Sequence, residues 1–195
     1  MCLIKQKVLQ LMDKRITKTK QGLHDALKTL LNKMDYSEIN IQNLLDESKI
    51  SRSTFYSHYK NKDDVLLSIV NDIFDHVFSH TLEVEETHDF SKNSILDFSH
   101  LITHILYHLH DEKEMIQAII SNSSSLIFFE EMRKRIIKIN EIIIEERNTK
   151  NKTVPYKLLL EIANENFIVL VKHWFKNNCE ATPETITSYY FSLIS

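Results

Sequence analysis

Eleven consecutive residues, Arg52 to Lys62, bring together a guanidinium, three short hydroxyls, two phenols, an imidazole and two ammonium groups. On a short helix, the guanidinium and hydroxyls of Arg52, Ser53 and Thr54 suit the edges of bases. Tyr56, His58 and Lys62 have the reach to hold flanking phosphate oxygens. The plainer alternative makes Tyr56 and Tyr59 core aromatics and the lysines a solvated face.

Histidines form the second set. His100, His104 and His108 recur at i, i+4 and i+8, with His110 and Asp111 just beyond, and His76 and His80 make a similar pair. Neutral imidazoles at that spacing suit Zn²⁺ or a similar ion. At about 100° per residue, however, the stripe is centred roughly 120° from the apolar stripe of Phe98, Ile102, Ile105 and Leu109. A solvated or boundary face accounts for it. No cysteine or second carboxylate completes a site, so no metal is assigned. The His110–Asp111 dipeptide points weakly to metal-dependent phosphohydrolase chemistry, which needs further His and Asp ligands from other helices.

The elements that must position these groups follow from a shortage of chain breakers. The chain of 195 residues has one glycine, Gly22, and two prolines, Pro155 and Pro183, where average usage gives roughly 14 glycines. Phosphate-cradling loops, dinucleotide fingerprints and primed hairpin turns all need glycine and are excluded. With 43% hydrophobic and 26% charged residues, the expectation is an all-α globular protein. Leu23, Ala26, Leu27, Leu30 and Leu31 predict one amphipathic helix over 16–33. Asn40 caps a short second helix with Ile41, Leu44 and Leu45 inward, and Ser51 caps a third in which Phe55 and Tyr59 share a buried face. Asn61 caps a longer helix with its stripe at Leu66, Ile69, Val70, Ile73 and Val77. Polar breaks follow at 85–93, 111–114, 122–125, 147–153 and 177–182, and Thr182–Pro183 starts the last helix.

Two short helices joined by a tight turn, the second opening on polar residues, form a helix-turn-helix pattern. Charge agrees with it. Residues 1–62 hold 12 Lys and Arg against 6 Asp and Glu, a balance of +6, while the remainder hold 12 against 21, a balance of −9. A basic front third on an acidic body suits an anionic partner.

The stretch ISRSTFYSHYKNKDDVLLSIV resembles the signature of the TetR/AcrR family of transcriptional repressors. In that signature a turn is followed by Ser, a basic or small residue, Thr, an apolar residue, Tyr, a variable residue, His or Tyr and an aromatic. Asn or Ser, Lys and an acidic residue then lead into a leucine. The resemblance covers roughly residues 16–70 and includes YSEINIQNLL. It implies DNA contacts at Asn40, Gln42, Arg52, Ser53, Thr54, Tyr56, Ser57, His58 and Lys62, with Phe55 and Tyr59 in the core. Lys49 stands where the family often has the turn glycine, implying a turn strained or built differently. Gln42 replaces a frequent arginine, implying a weaker contact.

The resemblance further implies an extension at 1–15, a three-helix head at 16–62, and a larger helical bundle at 63–195 that dimerises and holds a small-molecule pocket. The residues themselves place the dimer interface on the last two helices. Phe167, Leu170 and Trp174 with Ile186, Tyr189 and Tyr190 carry much apolar area for a terminal layer; an ordinary intramolecular core is the alternative. The expected function is a repressor that binds a palindromic DNA operator as a homodimer and is released by a small-molecule effector, with no catalytic residues and no cofactor. The alternatives are the phosphohydrolase built on His110 and Asp111, and a helical adaptor that binds protein rather than DNA. Cys2 and Cys179 match no metal or redox spacing, and Lys5, Lys7 and Asp13 interrupt any apolar leader. No stretch approaches a membrane span, so a cytoplasmic protein is expected, with residues 1–11 dispensable for folding.

Overall fold

The computed structural model describes residues 2–79, 98–147 and 154–194, with side chains over 16–78, 98–145 and 154–194. Among them all regular structure is helical: α1 (Cys2–Leu31), α2 (Ile41–Ser48), α3 (Arg52–His58), α4 (Lys62–Ser79), α5 (Phe98–Asp111), α6 (Lys113–Ile120), α7 (Ser125–Arg147), α8 (Tyr156–Lys176) and α9 (Pro183–Leu193). The first helix starts well before the expected Ile16 and runs unbroken. The expected break at 85–93, His80, and most of the break at 147–153 lie outside the described residues, as do the side chains of 1–11.

Helix starts are set by local chemistry. The Asn40 side chain accepts the Asn43 N–H at 3.0 Å and the Asn43 side chain accepts the Asn40 N–H at 2.9 Å, a reciprocal capping box. Ser51 Oγ accepts from Thr54 N–H, Asn61 Oδ1 from Asp64 N–H, and Thr182 Oγ1 from Thr185 N–H with Pro183 following. Each satisfies a donor that a helix start leaves open.

The turns that would ordinarily use glycine are made without it. Lys49, Asn178 and Cys179 have φ of 58°, 54° and 54°, while Gly22 lies inside α1. The α2–α3 turn is thus not rebuilt around the missing glycine; Lys49 itself takes the left-handed conformation. That conformation costs an L-residue roughly 1–2 kcal/mol, against about 0.5–1 kcal/mol of extra chain entropy for glycine. Lys49→Gly is therefore expected to stabilise the protein by about 0.5–1 kcal/mol, read as a higher urea midpoint at unchanged slope. A lower midpoint would mean that the lysine side chain contributes more than its backbone strain removes.

The chain divides into two compact units, residues 1–69 with 118–125, and residues 70–117 with 126–195. The first extends past the expected boundary at 62 to take in the start of α4, where Val65, Leu66 and Ile69 are buried, as are Leu23 and Leu27 of α1, Leu44 of α2 and Phe55 of α3. It also takes in the α6–α7 turn. Asp35 accepts from the Ser37 N–H and hydroxyl at 2.8 and 2.7 Å, and from the Ser123 N–H and hydroxyl at 3.2 and 2.8 Å. Those donors hold its carboxyl well below the usual carboxylate range. Asn122 Nδ2 adds bonds to Ala118 O and Leu31 O.

In the second unit α9 packs against both α5 and α8. Phe167 packs edge-on to Tyr190 at 5.7 Å between ring centroids, and Trp174 Nε1 donates to Ala181 O at 2.8 Å. Tyr190 Oη donates to Asn140 Oδ1 at 2.6 Å, and Asn140 Nδ2 to Asn164 Oδ1 at 2.7 Å, so α7, α8 and α9 share one buried polar chain. The expected dimer residues need correction here. Phe167, Leu170, Trp174, Ile186 and Tyr190 are buried inside this unit and belong to its own core. Tyr189 alone among the six is exposed. Other large apolar or aromatic side chains at the surface of α8 and α9 are Tyr156, Leu158, Ile162 and Val169 on α8 and Leu193 on α9, while α7 exposes Leu126 and Ile142.

Candidate nucleic-acid interface

Phe55 is fully buried and anchors α3 to the first unit, with Tyr56 edge-on at 5.3 Å and Tyr59 tilted at 6.1 Å. Tyr59 caps the helix and is half-buried, donating to Ser68 Oγ at 3.3 Å. With its back thus fixed, α3 leaves Arg52, Ser53, Tyr56, Ser57 and His58 exposed and Thr54 half-exposed. At its start, Ser51 Oγ lies 3.0 Å from Ser53 Oγ and 2.8 Å from Thr54 Oγ1. Ser57 Oγ donates back to Thr54 O at 2.7 Å. Asn40 lies exposed at the start of α2, already engaged in its capping box.

A hydrogen-bonded chain crosses from α2 to α3. Arg52 Nη2 donates to Gln42 Oε1 at 2.9 Å, and Gln42 Nε2 donates to Asp46 Oδ1 at 2.8 Å. Sequence reading passed over Asp46, although the glutamine–aspartate spacing of i, i+4 on a helix was the available signal.

Lys62 departs from its expected place on a phosphate. Its Nζ donates to Tyr36 O at 2.6 Å, Ile39 O at 2.7 Å and Ser37 O at 3.4 Å, and lies 4.4 Å from the Tyr36 ring centre. An ammonium has three donors, and here all three face the α1–α2 linker. The Tyr36 hydroxyl in turn donates to Asp63; burial, with Asp63 beside it, pushes that phenol up. Lys62→Met is expected to lower stability by about 1.5–3 kcal/mol, the range for hydrogen bonds to charged groups. Lys60→Met, at an exposed position, should lie within about 0.5 kcal/mol of the parent. Chemical denaturation of both variants checks this, and equal midpoints would contradict the inward role.

The histidine stripe is less solvated than its helical angle suggested. His108 is buried, its ring 4.4 Å from His104 and 4.8 Å from His76, with His104 and His108 Nε2 atoms 3.1 Å apart. The departure arises because α4 supplies His76 to that side of α5. Among the described residues no three His, Cys, Asp or Glu side chains are arranged to hold a metal ion. The His110 ring stacks on Trp174 at 5.9 Å.

The sequence model for the transcriptional regulator C-terminal region of the TetR type matches residues 96–195, just over half of the chain. The chain belongs to the TetR family of transcriptional regulators. Its fold matches a TetR transcriptional regulator from Streptococcus agalactiae 2603V with a TM-score of 0.70 at 25% identity, covering 96% of this chain and 99% of that one. A TetR-family regulator from Syntrophomonas wolfei str. Goettingen superposes at 0.68 with 16% identity, over 91% and 93% of the two chains. The dihydroxyacetone kinase operon activator DhaS superposes at 0.56 with 15% identity, over 90% and 93%. In sequence, the uncharacterized HTH-type transcriptional regulator YxbF of Bacillus subtilis (strain 168) is 32% identical over 80 residues, 40% of this TetR-family chain. The match spans only 21% of that relative's length.

Proposed function

We propose that this TetR-family regulator reads a palindromic DNA operator as a homodimer, with α3 in the major groove, and represses transcription until a small-molecule effector releases it. The observation that carries the reading is the division of α3: Phe55 is fully buried while Arg52, Ser53, Tyr56, Ser57 and His58 stand exposed together. Arg52 and Ser53 with Thr54 face base edges; Tyr56, Ser57 and His58 hold phosphates, and Asn40 holds backbone at the start of α2. Dimerisation follows from the apolar side chains exposed on α8 and α9, Leu158, Ile162, Val169, Tyr189 and Leu193, since burying them removes apolar area from water. An effector acts by binding better to the dimer state whose heads no longer match successive major grooves. Activation is the second reading, favoured by the fold shared with an operon activator. Among the described residues no helix is long and apolar enough to cross a membrane, and the proposed site of action is the cytoplasm.

The test is a gel shift with the DNA upstream of the protein's own coding region. A retarded band is expected, its association constant falling with salt at a log–log slope of about −0.9 per phosphate contact. Equal binding to that DNA and to a scrambled duplex of the same composition would oppose the proposal.

A further inference from the structure

We infer that Asp46 and Gln42 are positioning residues that set which base Arg52 reads; this rests on the proposed reading of DNA by α3. An amide presents a donor at one end and an acceptor at the other. The Gln42 amide stands between neighbours of opposite kind. Asp46, an acceptor, is one helical turn along α2, and Arg52, which has only donors, is at the start of α3. Only one orientation of the amide satisfies both, with Nε2 toward Asp46 at 2.8 Å and Oε1 toward Arg52 at 2.9 Å. The reverse orientation sets donor against donor and acceptor against acceptor at once. Asp46 therefore fixes the amide, and the amide fixes one edge of the guanidinium.

Arg52 has five N–H donors in a planar fork, and the bond to Gln42 uses Nη2. The remaining donors stay available in a defined plane, the arrangement that grips guanine O6 and N7 together. All three side chains are exposed, so the chain strengthens when bound DNA removes water from around it. Gln42 thus acts through Arg52 rather than as the weaker direct contact expected in place of an arginine.

The relay differs from simple electrostatics in a measurable way. Asp46 carries negative charge toward a polyanion, so removing it raises affinity for every duplex alike if charge is its only influence. The relay instead ties Asp46 to one base pair per half-site. The experiment selects a duplex from a random pool with the full-length protein, then measures competition by all single-base variants of that duplex. Arg52→Ala is expected to reduce discrimination at one base pair by about 5- to 150-fold. Asp46→Ala and Gln42→Ala should each reduce it at that same pair by about 2- to 12-fold. Adding Asp46→Ala to Arg52→Ala should change discrimination no further. A uniform rise in affinity with unchanged base preference for Asp46→Ala, or an effect at a different base pair, overturns the relay. If the parent enriches no sequence, or Arg52→Ala leaves every preference intact, the reading of DNA by Arg52 fails and takes the relay with it.

Discussion

Phe55→Ala is expected to abolish sequence-specific DNA binding while leaving the second unit folded. The phenyl ring is fully buried and joins α3 to the rest of the first unit, so its removal takes both transfer energy and packing. Burial loss of this kind costs about 3–5 kcal/mol. Domain stability runs at about 0.05–0.15 kcal/mol per residue, so a unit of this size holds about 4–12 kcal/mol and loses a large part of it. The exposed face of α3 then loses the support that aims it. Guanidinium unfolding followed by circular dichroism should show an early transition that the parent lacks, with most helix surviving it, and a gel shift should show no preference among duplexes. Parent-like binding by this variant would mean that α3 is held by something other than Phe55.

Charge on the outward faces of α8 and α9 is expected to split the proposed dimer. Val169 and Tyr189 are 59% and 51% exposed in the protomer, so Val169→Glu combined with Tyr189→Glu leaves the fold intact. In an apolar interface the same carboxylates lack partners and are costly to bury. Sedimentation equilibrium should report the monomer mass and circular dichroism the parent's helix content. Operator affinity should fall by roughly 10²–10⁴, because the second head no longer binds as an intramolecular event. Trp174→Glu is the contrasting case: at 1% exposure its charge falls inside the unit, so lost helicity rather than a clean monomer is expected. A double variant that stays dimeric moves the interface elsewhere.

What could be read from the sequence was local. Asn40, Ser51, Asn61 and Thr182 announce their helices because a cap acts over three residues, and all four make the expected bonds. Phe55 is legible because its neighbours are polar, so one apolar residue on a short helix has one place to go. Helices α8 and α9 defeat the same logic. They carry apolar residues on more than one side, and composition does not say which side meets the chain's own core; five of the six residues expected at the interface lie in that core, and Tyr189 is the exposed one. Lys62 looks identical to a phosphate-binding lysine until the linker carbonyls around it are known. The Asp35–Ser123 link joins residues 88 apart in sequence, a separation at which no periodicity or spacing rule operates. Asp46 sits between: its pairing with Gln42 is a short-range pattern, but its meaning depends on where α3 places Arg52.

The most direct test of the central claim is a hydroxyl-radical footprint of the full-length protein on a duplex selected from a random pool. Two equal protected patches on one face of the duplex are expected, related by a two-fold axis, with their major-groove centres one helical turn of about 34–36 Å apart or a multiple of it. Arg52→Ala should weaken both patches together. A single patch, or uniform protection without symmetry, would contradict a dimer that reads DNA through paired α3 helices.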